Sequence, residues 1–206
     1  MLLEYGTMTT SLEDLALRLH DIGAIQFGRF RLHSGRESRI YIDLRVLVSF
    51  PDALRQATAA YRTVLDPLAY DLLVATPLAG LPIGTALCLD TNKPLIYPRK
   101  TAKSYGTGKN IEGRWSIGQT VVVVDDLITS GDSILETIAT IKAAGLKVGD
   151  AVVLIDREQG GREIIEAQGY HLHAVASLSE LLTILLERGR LNQTQFDEVV
   201  SSLNLR

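Results

Sequence analysis

Five short, almost uninterrupted apolar runs recur from residue 71 onward: DLLVAT from Asp71, PLIY from Pro94, TVVVV from Thr120, AVVLID from Ala151 and HLHAVA from His171. Segments with helical spacing stand between or after them: Gly80 to Leu89, Ser133 to Ala144 with Gly145 as its stop, Arg162 to Gln168, and Leu178 to Glu187. A strand that is apolar at successive positions must be covered on both faces, and a helical crossover is what lets neighbouring strands run parallel. The alternation therefore predicts an α/β fold, with a central parallel sheet flanked by helices. Ligands of such sheets gather beyond the carboxyl ends of the strands.

The amino-terminal part reads differently. Ser11 is placed to cap a helix, with Asp14 three residues on and Leu12, Leu15, Ala16, Leu19 and Ile22 at helical spacing before Gly23. The stretch Gln26 to Arg45 reads as two extended segments around a Ser34-Gly35 turn. Pro51 opens a second helix that carries Leu54, Ala57, Tyr61 and Val64 on one face. Residues 98–113 read as a polar loop, and one more helix is expected from Asn192 onward. No linker or repeat interrupts the pattern. The expected organisation is one domain over residues 1–206, with a helix and small hood hairpin over 11–45, a core over 70–180 and a terminal helix over 192–206.

Composition excludes some functions. A net charge of −3 gives no support for binding nucleic acid or an anionic membrane surface. The first ten residues lack the pattern of a secretory signal, and no apolar run approaches the ~20 residues that span a bilayer. A cytoplasmic location is the expectation. The single cysteine, Cys88, rules out an internal disulfide and lies in an apolar stretch, where packing in the core is expected.

The stretch VVVVDDLITSGDS, Val121 to Ser133, carries the chemistry. It places Asp125 and Asp126 at the carboxyl end of a central strand and then turns into a helix. A helix N-terminus offers unpaired N–H groups and partial positive charge, so it attracts phosphate. Gly131 lets the backbone come close, and Thr129, Ser130 and Ser133 add hydroxyls. The carboxylates would repel that phosphate, so they suit ribose hydroxyls or a hydrated Mg²⁺ beside it. Together these parts describe a sugar bearing a 5′-phosphate. The plainer alternative leaves Asp126 in an Asx turn and Ser130 or Asp132 as a helix cap. Neither the Walker A spacing nor the three-glycine dinucleotide fingerprint is present.

These residues resemble the phosphoribosyl pyrophosphate (PRPP) loop of the type I phosphoribosyltransferases. The resemblance implies that Asp125 and Asp126 face the ribose hydroxyls and that Thr129, Ser130, Gly131, Asp132 and Ser133 wrap the 5′-phosphate. The basic, glycine-rich segment YPRKTAKSYGTGKNIEG, from Tyr97, is similar to the loop of the orotate phosphoribosyltransferases. By that match Arg99, Lys100 and Lys103 bind pyrophosphate, with Lys103 catalytic. Tyr105 joins them at a position where many members carry His and where the orotate domain of fused uridylate synthases also has Tyr. In the family residues 99–109 would be shared across the subunits of a homodimer. TPLAGLP, Thr76 to Pro82, aligns with a second pyrophosphate loop; Ala79 replaces a Lys found in some members, and the N–H groups of Ala79 and Gly80 would serve instead.

For the base, VLIDREQGG (Val153 to Gly161) matches a segment in which Arg157 contacts orotate, and Arg suits bidentate recognition of a carboxylate. Thr129 would also touch the base. Phe27 to Arg45 resembles the hairpin lining the orotate pocket, with His33 at a position often basic and Arg39 in place of a usual Pro. The resemblance spans about residues 12–190. It implies Mg²⁺-dependent transfer of phosphoribose from PRPP to orotate, in pyrimidine biosynthesis, with Mg²⁺ carried by PRPP and an orotidylate decarboxylase as a possible partner. Two alternatives remain: transfer to another base, and a regulatory protein that binds PRPP without turnover.

Overall fold

The computed structural model describes residues 11–31, 35, 37–99 and 110–203. The chain divides into two compact units, one of Met1–Ala60 and Ala176–Arg206, the other of Tyr61–Val175.

In the first unit, α1 (Leu12–Asp21) begins at Ser11, whose hydroxyl accepts the Asp14 N–H at 3.1 Å, and buries Leu15, Ala16 and Leu19. Strands β1 (Ile25–Arg31) and β2 (Glu37–Ile42) form an antiparallel pair running from Ile25–Ile42 to Arg31–Glu37. A 3₁₀ helix over Leu44–Ser49, not anticipated from periodicity, leads into α2 (Pro51–Leu65), whose residues from Tyr61 onward belong to the second unit. The face that α2 buries is Ala53, Ala57, Ala60, Tyr61 and Leu65, while Leu54 and Val64 are only half-buried. Small alanines let that helix approach closely, so size rather than hydrophobicity chose the face. Helices α6 (Leu178–Glu187) and α7 (Gln193–Leu203) complete the unit: α6 packs on α1 and α7 on β2. Among the described residues no helix is long and apolar enough to cross a membrane.

The second unit is built on a six-stranded sheet. Its strands are β3 (Leu72–Ala75), β4 (Leu95–Pro98), β5 (Ile111–Glu112), β6 (Thr120–Ile128), β7 (Lys147–Asp156) and β8 (His171–Ser177), in the order β5-β4-β3-β6-β7-β8. The pairs β3–β4, β3–β6 and β6–β7 are parallel, and the short β5 is antiparallel to its neighbour β4. Helices α3 (Gly80–Thr91), α4 (Asp132–Ala143) and α5 (Gly161–Ala167) connect the strands. Helix α4 buries Ile134, Ile138 and Ile141 on one stripe against Val121, Val123, Ala151 and Val153. Each such side chain removed from water contributes about 1.5–3 kcal/mol.

Three expectations need correction. Strand β6 does not stop at Val124; its pairing with β7 continues to Ile128–Asp156, because the backbone ladder is indifferent to acidic side chains that point off the sheet. The 98–113 segment is not wholly loop, since Ile111–Glu112 pairs with Tyr97–Pro98. Cys88 is half-buried rather than in the core. Helix α3 is apolar around most of its circumference, down to Leu89 at 81% exposure, so periodicity alone could not say which side faces inward.

Candidate active site

Parallel strands β3 and β6 deliver two loops to one place. Pro77, Leu78 and Ala79, after β3, line one side of a cleft of about 210 Å³, and the continuous run Asp125–Ile134 lines the other. Gly80 makes this possible: a Cβ there would lie 2.8 Å from the Val124 carbonyl oxygen and 3.3 Å from the Asp125 carboxylate. The α3 terminus can therefore sit directly against the end of β6.

Asp125 is buried, and Asp126 half-buried. Each folds back on the following amide: the Asp126 N–H donates to Asp125 Oδ1, and the Leu127 N–H to Asp126 Oδ1, both at 2.9 Å. Burial, with the adjacent charge of Asp126, pushes the Asp125 carboxyl up to about 8. Donors such as sugar hydroxyls favour the ionised form of such a pair, which burial and mutual repulsion hold back in the empty site.

Beyond them Gly131 is the N-cap of α4, at φ +85°, a left-handed conformation that side chains rarely adopt. The cap is supplied by neither Ser130 nor Asp132; instead the Ser130 hydroxyl donates to Asp132 at 2.6 Å. The first N–H groups of α4 thus receive no side-chain acceptor from the N-cap, the state in which a helix terminus binds an anion. Thr129, Ser130, Asp132 and Ser133 all border the same cleft.

Arg157 follows β7. Its N–H donates to the Ile128 carbonyl at 3.1 Å, which ties it to the strand that carries the acidic pair. Its Nε is buried without a hydrogen-bond partner among the described residues, and burial lowers the guanidinium pKa. A buried guanidinium N–H with no acceptor is costly, and an anionic ligand relieves it. The loop around it is braced: Asp156 Oδ1 accepts the Glu158 N–H at 2.9 Å, and Asp156 Oδ2 accepts Arg162 Nε at 2.8 Å. The contribution of Arg162 was not foreseen, because nothing local distinguishes it from a surface arginine.

The remaining expected residues divide in two. Arg99 is ion-paired with Glu112, and its N–H donates to the Asn110 carbonyl at 2.8 Å, so the two ends of the basic segment are held side by side. Arg39 lies 3.6 Å from Glu198 in the first unit. His33, Lys100, Lys103 and Tyr105 lie outside the described residues.

Comparison with known proteins agrees with this chemistry. The phosphoribosyl transferase domain family matches residues 59–168. An orotate phosphoribosyltransferase of Pyrobaculum aerophilum is 37% identical over 188 residues, covering 91% of this chain and 96% of that protein. The bifunctional enzyme PyrF/PyrE of Nostoc sp. is 44% identical over 185 residues, 90% of this chain but 39% of that protein. The structure of Leishmania donovani UMP synthase superposes with a TM-score of 0.86 at 37% identity, covering 94% of this chain and 42% of that one. The chain spans about two-fifths of the length of these two longer relatives, and nearly the full length of the Pyrobaculum protein. On the strength of that match, the chain belongs to the orotate phosphoribosyltransferase family.

Proposed function

We propose that this protein transfers phosphoribose from PRPP to orotate, releasing pyrophosphate and forming orotidine 5′-monophosphate on the route to UMP. The observation that carries the reading is the cleft in which the acidic pair and the uncapped α4 terminus face one space. Asp125 and Asp126 accept the ribose hydroxyls, and the Thr129–Ser133 turn holds the 5′-phosphate. Arg157, cationic and unpartnered at Nε, receives the carboxylate of orotate. Purines and the other common pyrimidines lack that carboxylate, which favours orotate as the base. By the family resemblance, Thr129 and His33 are the further residues assigned to the base.

Bond making and breaking occur at the anomeric carbon. The C1–O bond to pyrophosphate breaks as the orotate ring nitrogen bonds to the opposite face, with inversion. Negative charge grows on the leaving oxygen; Arg99, Lys100 and Lys103 neutralise it, and Tyr105 and the Ala79 N–H donate to it, whereas the Gly80 N–H, expected to serve there, is already given to the Thr76 carbonyl at 3.1 Å. The orotate nitrogen is already acidic, so positioning and electrostatics supply most of the rate enhancement. Mg²⁺ would enter with PRPP, held mainly by PRPP oxygens and water, with the hard oxygens of Asp125 and Asp126 as acceptors beside it. When bound with PRPP, the ion supplies charge neutralisation to the pyrophosphate.

We also propose that the chain works as one phosphoribosyltransferase domain in the cytoplasm, as a homodimer sharing residues 99–109 between sites. We take an orotidylate decarboxylase as its functional partner, a reading supported by the bifunctional character of the Nostoc relative. The test is the ultraviolet absorbance of orotate. A decline that requires both PRPP and Mg²⁺ is expected. No decline, with PRPP binding still measured by calorimetry, would overturn orotate transfer in favour of another base or a PRPP sensor.

A further inference from the structure

Tyr61 lies on α2, outside every segment that lines the cleft, yet it touches the backbone of the acidic pair. Its side chain is 0% exposed, and its hydroxyl donates to the Asp125 carbonyl at 2.6 Å. The Leu154 backbone faces the same phenol oxygen. Strands β6 and β7 pair at Asp125–Val153 and again at Leu127–Ile155, and the phenol stands at the step between them. A side chain from 64 positions upstream thus enters the sheet where the two carboxylates branch off.

The consequence follows from peptide planarity. The Asp125 carbonyl and the Asp126 N–H belong to one rigid plane. That same N–H is the donor holding Asp125 Oδ1 at 2.9 Å. Fixing the carbonyl therefore fixes the N–H, and through it the carboxylate. Core filling alone would be met by phenylalanine, which spares the cost of burying a hydroxyl.

We propose that Tyr61 is a positioning residue for ribose recognition: its hydroxyl holds the Asp125–Asp126 peptide plane and so aims the Asp125 carboxylate. The inference rests on the reading of the acidic pair as the ribose site. In Tyr61→Phe, the dissociation constant and KM for PRPP rise about tenfold, the loss of one buried hydrogen bond, while KM for orotate stays within about twofold. Replacing Tyr61 with 4-aminophenylalanine, which restores a donor at the same point, brings PRPP affinity back to within about threefold of wild type. A merely structural hydroxyl would lower thermal stability and the active fraction but leave the PRPP dissociation constant of the folded molecules alone.

Calorimetric titration of the full chain with PRPP reads all three proteins. A folded Tyr61→Phe that binds PRPP as wild type does overturns the proposal. If Tyr61→Phe does not fold, the amino variant decides, and a tenfold loss of affinity there overturns it. A wild-type chain that does not bind PRPP is a separate result, which removes the ribose-site reading and this inference with it.

Discussion

Two helix N-termini in this chain are finished in opposite ways. At α6 the chain caps itself: the Ser177 hydroxyl accepts the Glu180 N–H at 3.2 Å, and the Glu180 carboxylate accepts the Ser177 N–H at 2.8 Å. At α4 the N-cap is Gly131, and the neighbouring Ser130 hydroxyl turns to Asp132 instead. Helix α1 follows the first pattern with Ser11, and α5 follows the second with Gly160. The difference separates scaffold from site. A self-capped terminus has satisfied its own amides and gains nothing from a ligand. An uncapped one after a parallel strand keeps its amides for an acceptor that the chain does not supply.

The contrast is broken most severely at Gly131. A Cβ there meets Ile165 Cγ1 at 3.3 Å and the Gly161 carbonyl oxygen at 3.4 Å, with φ at +85°. Left-handed backbone costs a side-chain-bearing residue roughly 1–2 kcal/mol, and a β-branched residue more. Gly131→Val should shift the turn to relieve that strain and lower PRPP affinity about a hundredfold by calorimetry, with the far-ultraviolet dichroism kept. Retained affinity would mean that the α4 terminus is not the phosphate site.

A smaller effect sharpens the same comparison through pH. Asp125 is raised from an ordinary 3.8 to about 8, so across that window the folded chain holds a proton that the unfolded chain has released. Stability is then greatest below the window, falls as pH rises through it and is lowest above about 8. Without ligand, Tm should drop by roughly 5 °C between about pH 6 and pH 8.5 relative to Asp125→Asn. Equal slopes for the two proteins would show that the acidic pair does not burden the empty fold.

Local patterns were read from the sequence with success where the cause is local. Ser11 and Asp14 cap α1, Leu178–Glu187 is α6 to the residue, and the acidic pair and glycine turn line one cleft because they are contiguous in the chain. Features with distant causes were not visible. The end of β6 is decided by its pairing with β7, not by its own residues. Tyr61 reads as one more apolar position on a helical face, since its partner is 64 residues away. Arg162 matters through Asp156 and through the Leu172 carbonyl, which it meets at 2.7 Å, and neither contact has a sequence signature.

The smallest effect tests the scaffold half of the comparison. Ser177→Ala removes one member of the reciprocal cap and leaves the Glu180 N–H without its acceptor. Such losses cost about 0.5–2 kcal/mol, and for a chain of this size each kcal/mol is worth about 2–4 °C in Tm. Ser177→Ala should therefore melt a few degrees lower while both Michaelis constants stay within about twofold of wild type. The sign of the comparison lies in that split: at α4 a change at the terminus moves affinity, and at α6 it moves only stability. A Ser177→Ala protein with weakened PRPP or orotate binding would show that a self-capped terminus also serves the site, and the division between the two kinds of helix start would fail.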